Sequence, residues 1–307
     1  MNASEHQARV VECFGRRVIV ETADQQRIAA EIFGKRLTCV CGDEVNVRDP
    51  EGAGDVPRVI EVLPRRALFA RTDSRGRTEP LAANLTLLAT IVAPEPEPDP
   101  FITDRYLAGA AFAGISRLVI VNKTELASAQ TNAFAALVDE YRAAGFDVIT
   151  LSAKDPSTVE PLKDLLRKHV TMFVGQSGVG KSTLTNQLAP ASARSTRELS
   201  DASREGRHTT VSTALFRIPT GGELIDSPGV RDYAPPVIED ATIQVGWPEI
   251  MKLGSNCRFN NCLHLREPGC AVTQAVSSQQ ISARRYESYK RLVNIMRGLA
   301  PEYERRR

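Results

Sequence analysis

Residues 170–182 read VTMFVGQSGVGKS: an apolar, β-branched run ending in glycine, then a turn in which Gly175 to Ser182 fit G-x-x-x-x-G-K-[ST]. The segment behind it, STLTNQLA, suits a helix. A strand, a glycine-rich turn and a helix amino terminus in that order aim successive backbone N–H groups at one point, which is how a chain holds a phosphate. Gly175, Gly178 and Gly180 let the backbone wrap the anion, and Gln176, Ser177 and Val179 complete the loop. Lys181 neutralises the β- and γ-phosphates, the Ser182 hydroxyl suits Mg²⁺, and Thr183 stands beside it at the helix start. A glycine-rich strand-to-helix turn without a ligand is the plainer alternative.

On the amino-terminal side of this loop, strands and helices alternate. Residues 85–93 (LTLLATIVA), 117–122 (RLVIVN) and the stretch FDVITLSA read as strands. PDPFITDRYLAGAAFAG contains a helix, TELASAQTNAFAALVDEYRAAG forms another that stops at Gly145, and PSTVEPLKDLLRKH forms a third. The acidic, Pro-rich PEPEPDP at residues 94–100 reads as a loop before a helix. Such alternation predicts a mostly parallel sheet covered by helices on both faces.

Three further motifs bear on which nucleotide the loop takes. After it, ELIDSPGV carries D-x-x-G, where Asp226 can hold Mg²⁺ through water and the Gly229 N–H can sense a γ-phosphate. Between the two, GRHTT places Thr209 and Thr210 on a polar stretch from which a threonine reaches Mg²⁺ only when that phosphate is present. Before the loop come NKTE at residues 122–125 and SAK at 152–154, each at a strand end. They supply the base-reading group of GTPases: Asn122, Lys123, Glu125, Ser152, Ala153 and Lys154. The order is that of a GTPase whose ends are joined and whose chain is cut elsewhere, so every motif keeps its place at the carboxyl edge of the sheet. Glu125 stands one methylene longer than the usual aspartate but still offers a carboxylate to the guanine N1–H and N2 amino group.

Before the sheet, VVECFGRRVIVET, QRIAAEIF, RLTCVCGDEVNVRD and PRVIEVLP are short β-branched runs parted by turns, which suits a five-stranded OB-type barrel. GDEV at residues 42–45 reads as a tight reversal between two strands. Cys13, Cys39 and Cys41 there read as small buried residues. RRALFARTDSRGR at 65–77, with five arginines and one aspartate, reads either as an exposed linker or as a nucleic-acid contact. After the sheet, Cys257, Cys262, His264 and Cys270 supply four ligands suited to tetrahedral Zn²⁺ in a closed, structural site. Apolar residues around them look too few to build a core without the metal. From residue 284 to 307, eight basic residues face three acidic ones in a largely helical segment, with Tyr286, Tyr289, Leu292 and Val293 on one side.

The totals exclude little beyond extremes. With 39 basic and 37 acidic residues, 42% hydrophobic and 6% aromatic, the chain is globular rather than disordered or collagenous. Net charge +2 leaves nucleic acid open as a partner. The first residues carry no secretory pattern and no apolar run is long enough for a bilayer, so the cytoplasm is expected.

These motifs together resemble the circularly permuted GTPases of small ribosomal subunit biogenesis, the RsgA type, across essentially the whole chain: GQSGVGKS, GRHTT, IDSPGVR and the cysteine cluster all recur. The resemblance implies an N-terminal OB-type barrel that binds RNA at 1–66, a central permuted P-loop GTPase domain at 67–235 and a C-terminal α-helical zinc-binding domain at 236–307. It implies GTP as substrate, GDP as product, Mg²⁺ held by Ser182, Thr210 and Asp226, one structural Zn²⁺, and a monomer acting on the small ribosomal subunit and its rRNA. It places a catalytic role at His208, beside Lys181 and Thr210, because Val230 stands where many GTPases carry a water-orienting glutamine. Because the chain leaves the sheet just after DSPGV, the zinc segment would hang directly from the second switch, so that a γ-phosphate-dependent shift near Gly229 could reorient it relative to the barrel. An ATP-using P-loop enzyme and a non-hydrolysing RNA-binding module are the competing readings.

Overall fold

A computed structural model describes residues 4–50, 52, 55–73, 75–190, 213–226 and 233–299. Five strands close a barrel at the amino terminus: β1 (Glu5–Phe14), β2 (Arg17–Thr22), β3 (Arg27–Ile32), β4 (Glu44–Arg48) and β5 (Arg58–Val62). They pair in the order β1-β2-β3-β5-β4, and β4 returns to β1. Alternation along the strands turns Val10, Val18, Val20, Val45, Val47 and Val59 inward as one core.

The tight turn expected at residues 42–45 falls two residues earlier, where the Asp43 N–H donates to the Val40 carbonyl at 3.1 Å, and residues 36–40 before it are not a strand. Gly42 has φ +94°, and a Cβ there would lie 2.1 Å from the Ala83 carbonyl oxygen. The turn is used for close approach to the next hairpin, and only glycine leaves room for it.

That hairpin corrects the linker reading of residues 65–77. It consists of β6 (Leu68–Thr72) and β7 (Thr78–Ala83), and four of the five arginines at 65–77 pair with carboxylates of the chain. Arg65 makes a two-pronged bond to the fully buried Asp43 at 2.7 and 2.8 Å. Arg66 meets Glu44 at 2.9 Å, Arg71 meets Glu79 at 2.7 Å and Arg77 meets Asp73 at 2.8 Å. Two barrel carboxylates and two within or beside the run absorb most of a charge that looks free in the linear sequence.

The central sheet contains β8 (Leu87–Val92), β9 (Ser116–Val121), β10 (Asp147–Thr150), β11 (Val170–Val174), β12 (Thr213–Arg217) and β13 (Glu223–Asp226) in the order β10-β9-β8-β11-β13-β12. All neighbours are parallel except β12 with β13. Helices α1 (Pro100–Phe112) and α2 (Asn132–Ala143) cover one face through Tyr106, Leu107, Phe134 and Val138. Helices α3 (Glu160–Leu166) and α4 (Lys181–Leu188) cover the other through Leu162, Leu166, Leu184 and Leu188. β12 pairs antiparallel with β1, so barrel and sheet share hydrogen bonds, and Arg9 reinforces the joint at 2.6 Å from Glu223.

The remaining helices are α5 (Asp240–Ile243), α6 (Pro248–Gly254), α7 (Ala271–Ser277) and α8 (Ala283–Leu299). One expectation is corrected here: apolar residues are not few, since Ile243, Trp247, Ile250, Val272, Ile281, Tyr289, Leu292, Val293 and Met296 form a substantial core into which Cys262 and Cys270 also pack. Just before this part, Tyr233 is fully buried, stacked between Phe69 at 5.1 Å and Tyr106 at 4.9 Å, with its hydroxyl donating to the Ala70 carbonyl. Gly109 of α1 makes room for that ring, since a Cβ there would lie 2.0 Å from the tyrosine oxygen.

Candidate nucleotide site and cysteine cluster

The carboxyl ends of β8, β9, β10, β11 and β13 meet at one edge. Gly175, Gly178 and Gly180 adopt φ of +143°, +84° and +100°, and α4 begins at Lys181. A Cβ at Gly175 would sit 2.3 Å from the Ile91 carbonyl oxygen, and one at Gly180 would sit 2.2 Å from Asn122 Nδ2. The glycines therefore serve both the left-handed turn and contact with the neighbouring strand ends. Lys181 Nζ donates to the Gly175 carbonyl at 2.8 Å and the Gln176 carbonyl at 2.6 Å, which lays the ammonium across the loop. Ser177, Gly178, Ser182 and Thr183 are exposed, and Val179 is buried as the loop's apolar anchor.

Asn122 joins the upstream motifs to this loop. It is 1% exposed; its Nδ2 donates to the Val179 carbonyl at 2.8 Å, and its Oδ1 accepts from the Ala153 N–H at 2.8 Å. One amide side chain thus ties NKTE, SAK and the glycine loop into a single unit. Glu125 lies 3.4 Å from Lys154, and the Ser152 hydroxyl, with Lys154 adding to it, holds the Glu125 carboxyl below its ordinary range. The carboxylate stays an acceptor at neutral pH. Lys123, at φ +62°, donates to the Glu95 carbonyl at 2.8 Å. At the end of β13, burial raises the Asp226 carboxyl while Lys181 pulls it the other way. His208, Thr209, Thr210 and Gly229 lie outside the described residues.

The sequence reading missed the part played by the Pro-rich loop. Gln176 Nε2 donates to the Glu97 carbonyl at 3.2 Å and its Oε1 accepts from the Asp99 N–H at 2.8 Å, so this side chain holds the loop before α1. Ser128 donates to Glu95 at 2.6 Å. Its position after β8, the strand next to β11, was the one available signal.

The cysteine cluster is compact. The ligand atoms of Cys257, Cys262, His264 and Cys270 all lie within 4.8 Å of one another. Cys257 Sγ and Cys270 Sγ are 3.8 Å apart, and each is 3.4 Å from His264 Nδ1. Zn–S bonds of about 2.3 Å and a Zn–N bond of about 2.0–2.1 Å give tetrahedron edges of about 3.8 Å for S···S and about 3.5 Å for S···N. The donor set and its spacing fit zinc. Gln244 Oε1 accepts from His264 Nε2 at 2.9 Å, which turns Nδ1 toward the sulfurs. The Ala271 N–H donates to Cys257 Sγ at 3.3 Å, a bond suited to a thiolate. Burial pushes the Cys262 thiol up to about 12, so this sulfur would give up its proton only to a bound cation. Tyr286 and Tyr289 of α8 clamp the loop through the His264 and Leu263 carbonyls at 2.6 and 2.8 Å.

The basic carboxyl-terminal helix is also less free than its sequence suggests. Arg284 and Arg285 are bonded to Asp104, Glu140 and Glu249; Lys290 and Arg291 meet Glu287; Arg297 meets Asp240. Among the described residues no helix is long and apolar enough to cross a membrane.

Comparison with known proteins agrees with this geometry. The model of the RsgA GTPase family matches residues 62–235. A curated relative from Pseudomonas aeruginosa (strain LESB58), named small ribosomal subunit biogenesis GTPase RsgA, is 38% identical over 294 residues, covering 95% of this chain and 86% of that protein. One of the same name from Ectopseudomonas mendocina (strain ymp) is 39% identical over 295 residues, covering 94% and 85%. The crystal structure of YjeQ from Thermotoga maritima superposes with a TM-score of 0.73 at 25% identity, covering 95% of this chain and 99% of that one. That of YloQ, a circularly permuted GTPase, shares the fold at a TM-score of 0.71 and 23% identity, covering 98% of each chain.

Proposed function

Because the chain belongs to the RsgA GTPase family, we propose that it hydrolyses GTP to GDP during late maturation of the small ribosomal subunit and grips that subunit and its rRNA according to nucleotide state. The observation that carries the nucleotide assignment is Asn122, whose amide holds the Val179 carbonyl and the Ala153 N–H together. An ATP-using P-loop enzyme has no need of that joint.

In this reading the backbone of residues 175–180 cradles the phosphates, Lys181 neutralises them, and Ser182, Thr210 and Asp226 hold Mg²⁺. Lys123, Glu125, Ser152, Ala153 and Lys154 line the base site, and the ionised Glu125 carboxylate accepts from guanine. Thr209 stands beside Thr210, and Gly229 senses the γ-phosphate. His208 orients or accepts a proton from the attacking water. The chain divides into a barrel (1–66), a GTPase domain (67–235) and a zinc domain (236–307), and acts as a monomer in the cytoplasm. Competition for a fluorescent guanine nucleotide tests the base site: unlabelled GTP should displace it, whereas ATP at the same concentration should leave it bound. Equal displacement would favour the ATP-using enzyme.

Zinc held by Cys257, Cys262, His264 and Cys270 has a local structural role. A strong chelator is expected to release about one equivalent of zinc and expose the loop at 255–270 to protease, with little loss of helical circular dichroism, because the core around Trp247 and Leu292 is apolar in its own right. Collapse of the helical signal would show that the metal holds the core as well.

A further inference from the structure

One helix, α1, touches both the nucleotide loop and the zinc domain. At its amino end, Asp99 caps α1 through bonds to the Phe101 and Ile102 N–H groups, while its own N–H is bound to Gln176 of the glycine loop. Five residues on, about 7 Å along the helix axis, Asp104 is 2% exposed and grips both Arg284 (2.8 Å) and Arg285 (2.5 Å) of α8. Arg285 is equally buried and also meets Glu249 of α6 at 2.7 Å; Arg284 also meets Glu140 of α2 at 2.5 Å. Both guanidinium groups lie over Tyr141 at 5.6 Å. Further along, Gly246 is pressed against Ala108, where a Cβ would be 2.7 Å from the alanine methyl.

We propose that α1 is the strut through which the nucleotide loop sets the position of the zinc domain, with Asp104 and Arg285 acting as positioning residues for subunit-stimulated hydrolysis. This rests on the nucleotide-site reading above. A buried ion pair resists separation because opening it strands charge in a low-dielectric interior. So α1 and α8 move as one body. The glycine loop has to fit its backbone to whichever phosphates occupy it, and Gln176 passes that adjustment to Asp99. The second route from the nucleotide, along the chain after Gly229, arrives at the same helix, because Tyr233 stacks on Tyr106. Both paths touch α1, and the nucleotide therefore biases an element that also holds the zinc domain.

Trp247, the chain's single tryptophan, reports on this joint without labelling: it is 1% exposed and packs in the cluster that includes Ala108. Its emission should differ between GDP and a non-hydrolysable GTP analogue. Asp104→Asn, which keeps the shape and removes the charge, should at least halve that difference and lower stimulation by small subunits about fivefold or more, with intrinsic turnover within about twofold. Arg284→Lys, a milder change at a half-buried position, should act in the same direction and covers the case in which Asp104→Asn does not fold. A wild-type tryptophan signal identical in the two nucleotide states would overturn the inference by itself, as would full stimulation in both variants. Failure of the wild type to bind GTP would sink the nucleotide-site reading as well; binding and hydrolysis with a silent Trp247 would sink the strut alone.

Discussion

Lys181→Ala is expected to lower GTP turnover by about 100-fold or more while leaving the fold intact. The ammonium spans the Gly175 and Gln176 carbonyls at 2.8 and 2.6 Å, the position from which it meets charge building on the β- and γ-phosphates. Removing one such preorganised group costs about 2.7–4 kcal/mol of transition-state stabilisation, or 10²–10³ in rate. The structural cost is small, because Lys181 is only half-buried and α4 is anchored by Leu184 and Leu188. Single-turnover hydrolysis beside a thermal melt separates the two effects. Turnover within threefold of wild type would remove the phosphate cradle from this loop.

The largest effect on stability is expected at Arg285→Met. Methionine roughly fills the space, but Glu249 loses its partner in a site where both Arg285 and Asp104 are 2% exposed. Breaking a buried pair by removing one member costs about 3–5 kcal/mol, because the other charge stays behind. For a chain of this size that corresponds to a fall in Tm on the order of 10 °C. Arg285→Met with Glu249→Gln should recover part of the loss, since the stranded charge goes with the second substitution. A melt unchanged by Arg285→Met would mean that water reaches this joint.

What could be read in the sequence was whatever is local along the chain. The glycine loop, the strand-end NKTE and SAK, and the cysteine cluster each hold their meaning within a few residues, and the permuted order survives because every motif stays at a strand's carboxyl end. The electrostatics were misread because their partners are distant. Arg65 looked free, yet its carboxylate, Asp43, lies across a barrel loop; Arg284 and Arg285 looked like part of an unpaired basic run, yet Asp104 and Glu140 reach them from helices more than 140 residues back in the sequence. No strand forms at residues 36–40; beside them Gly42 docks on Ala83 and the Cys41 carbonyl accepts from the Ala83 N–H at 3.0 Å, tertiary contacts with no signature in β-propensity. The zinc domain reads as poor in core because its apolar residues are spread over about 55 residues of helix and loop, and only their packing brings Trp247, Ile281 and Leu292 together.

Hydrolysis of GTP with and without purified small ribosomal subunits, with Lys181→Ala as the control, bears most directly on the proposed function. Slow intrinsic turnover that rises at least tenfold with subunits, and is lost in the variant, is the expected result; a rate that subunits leave unchanged would contradict it.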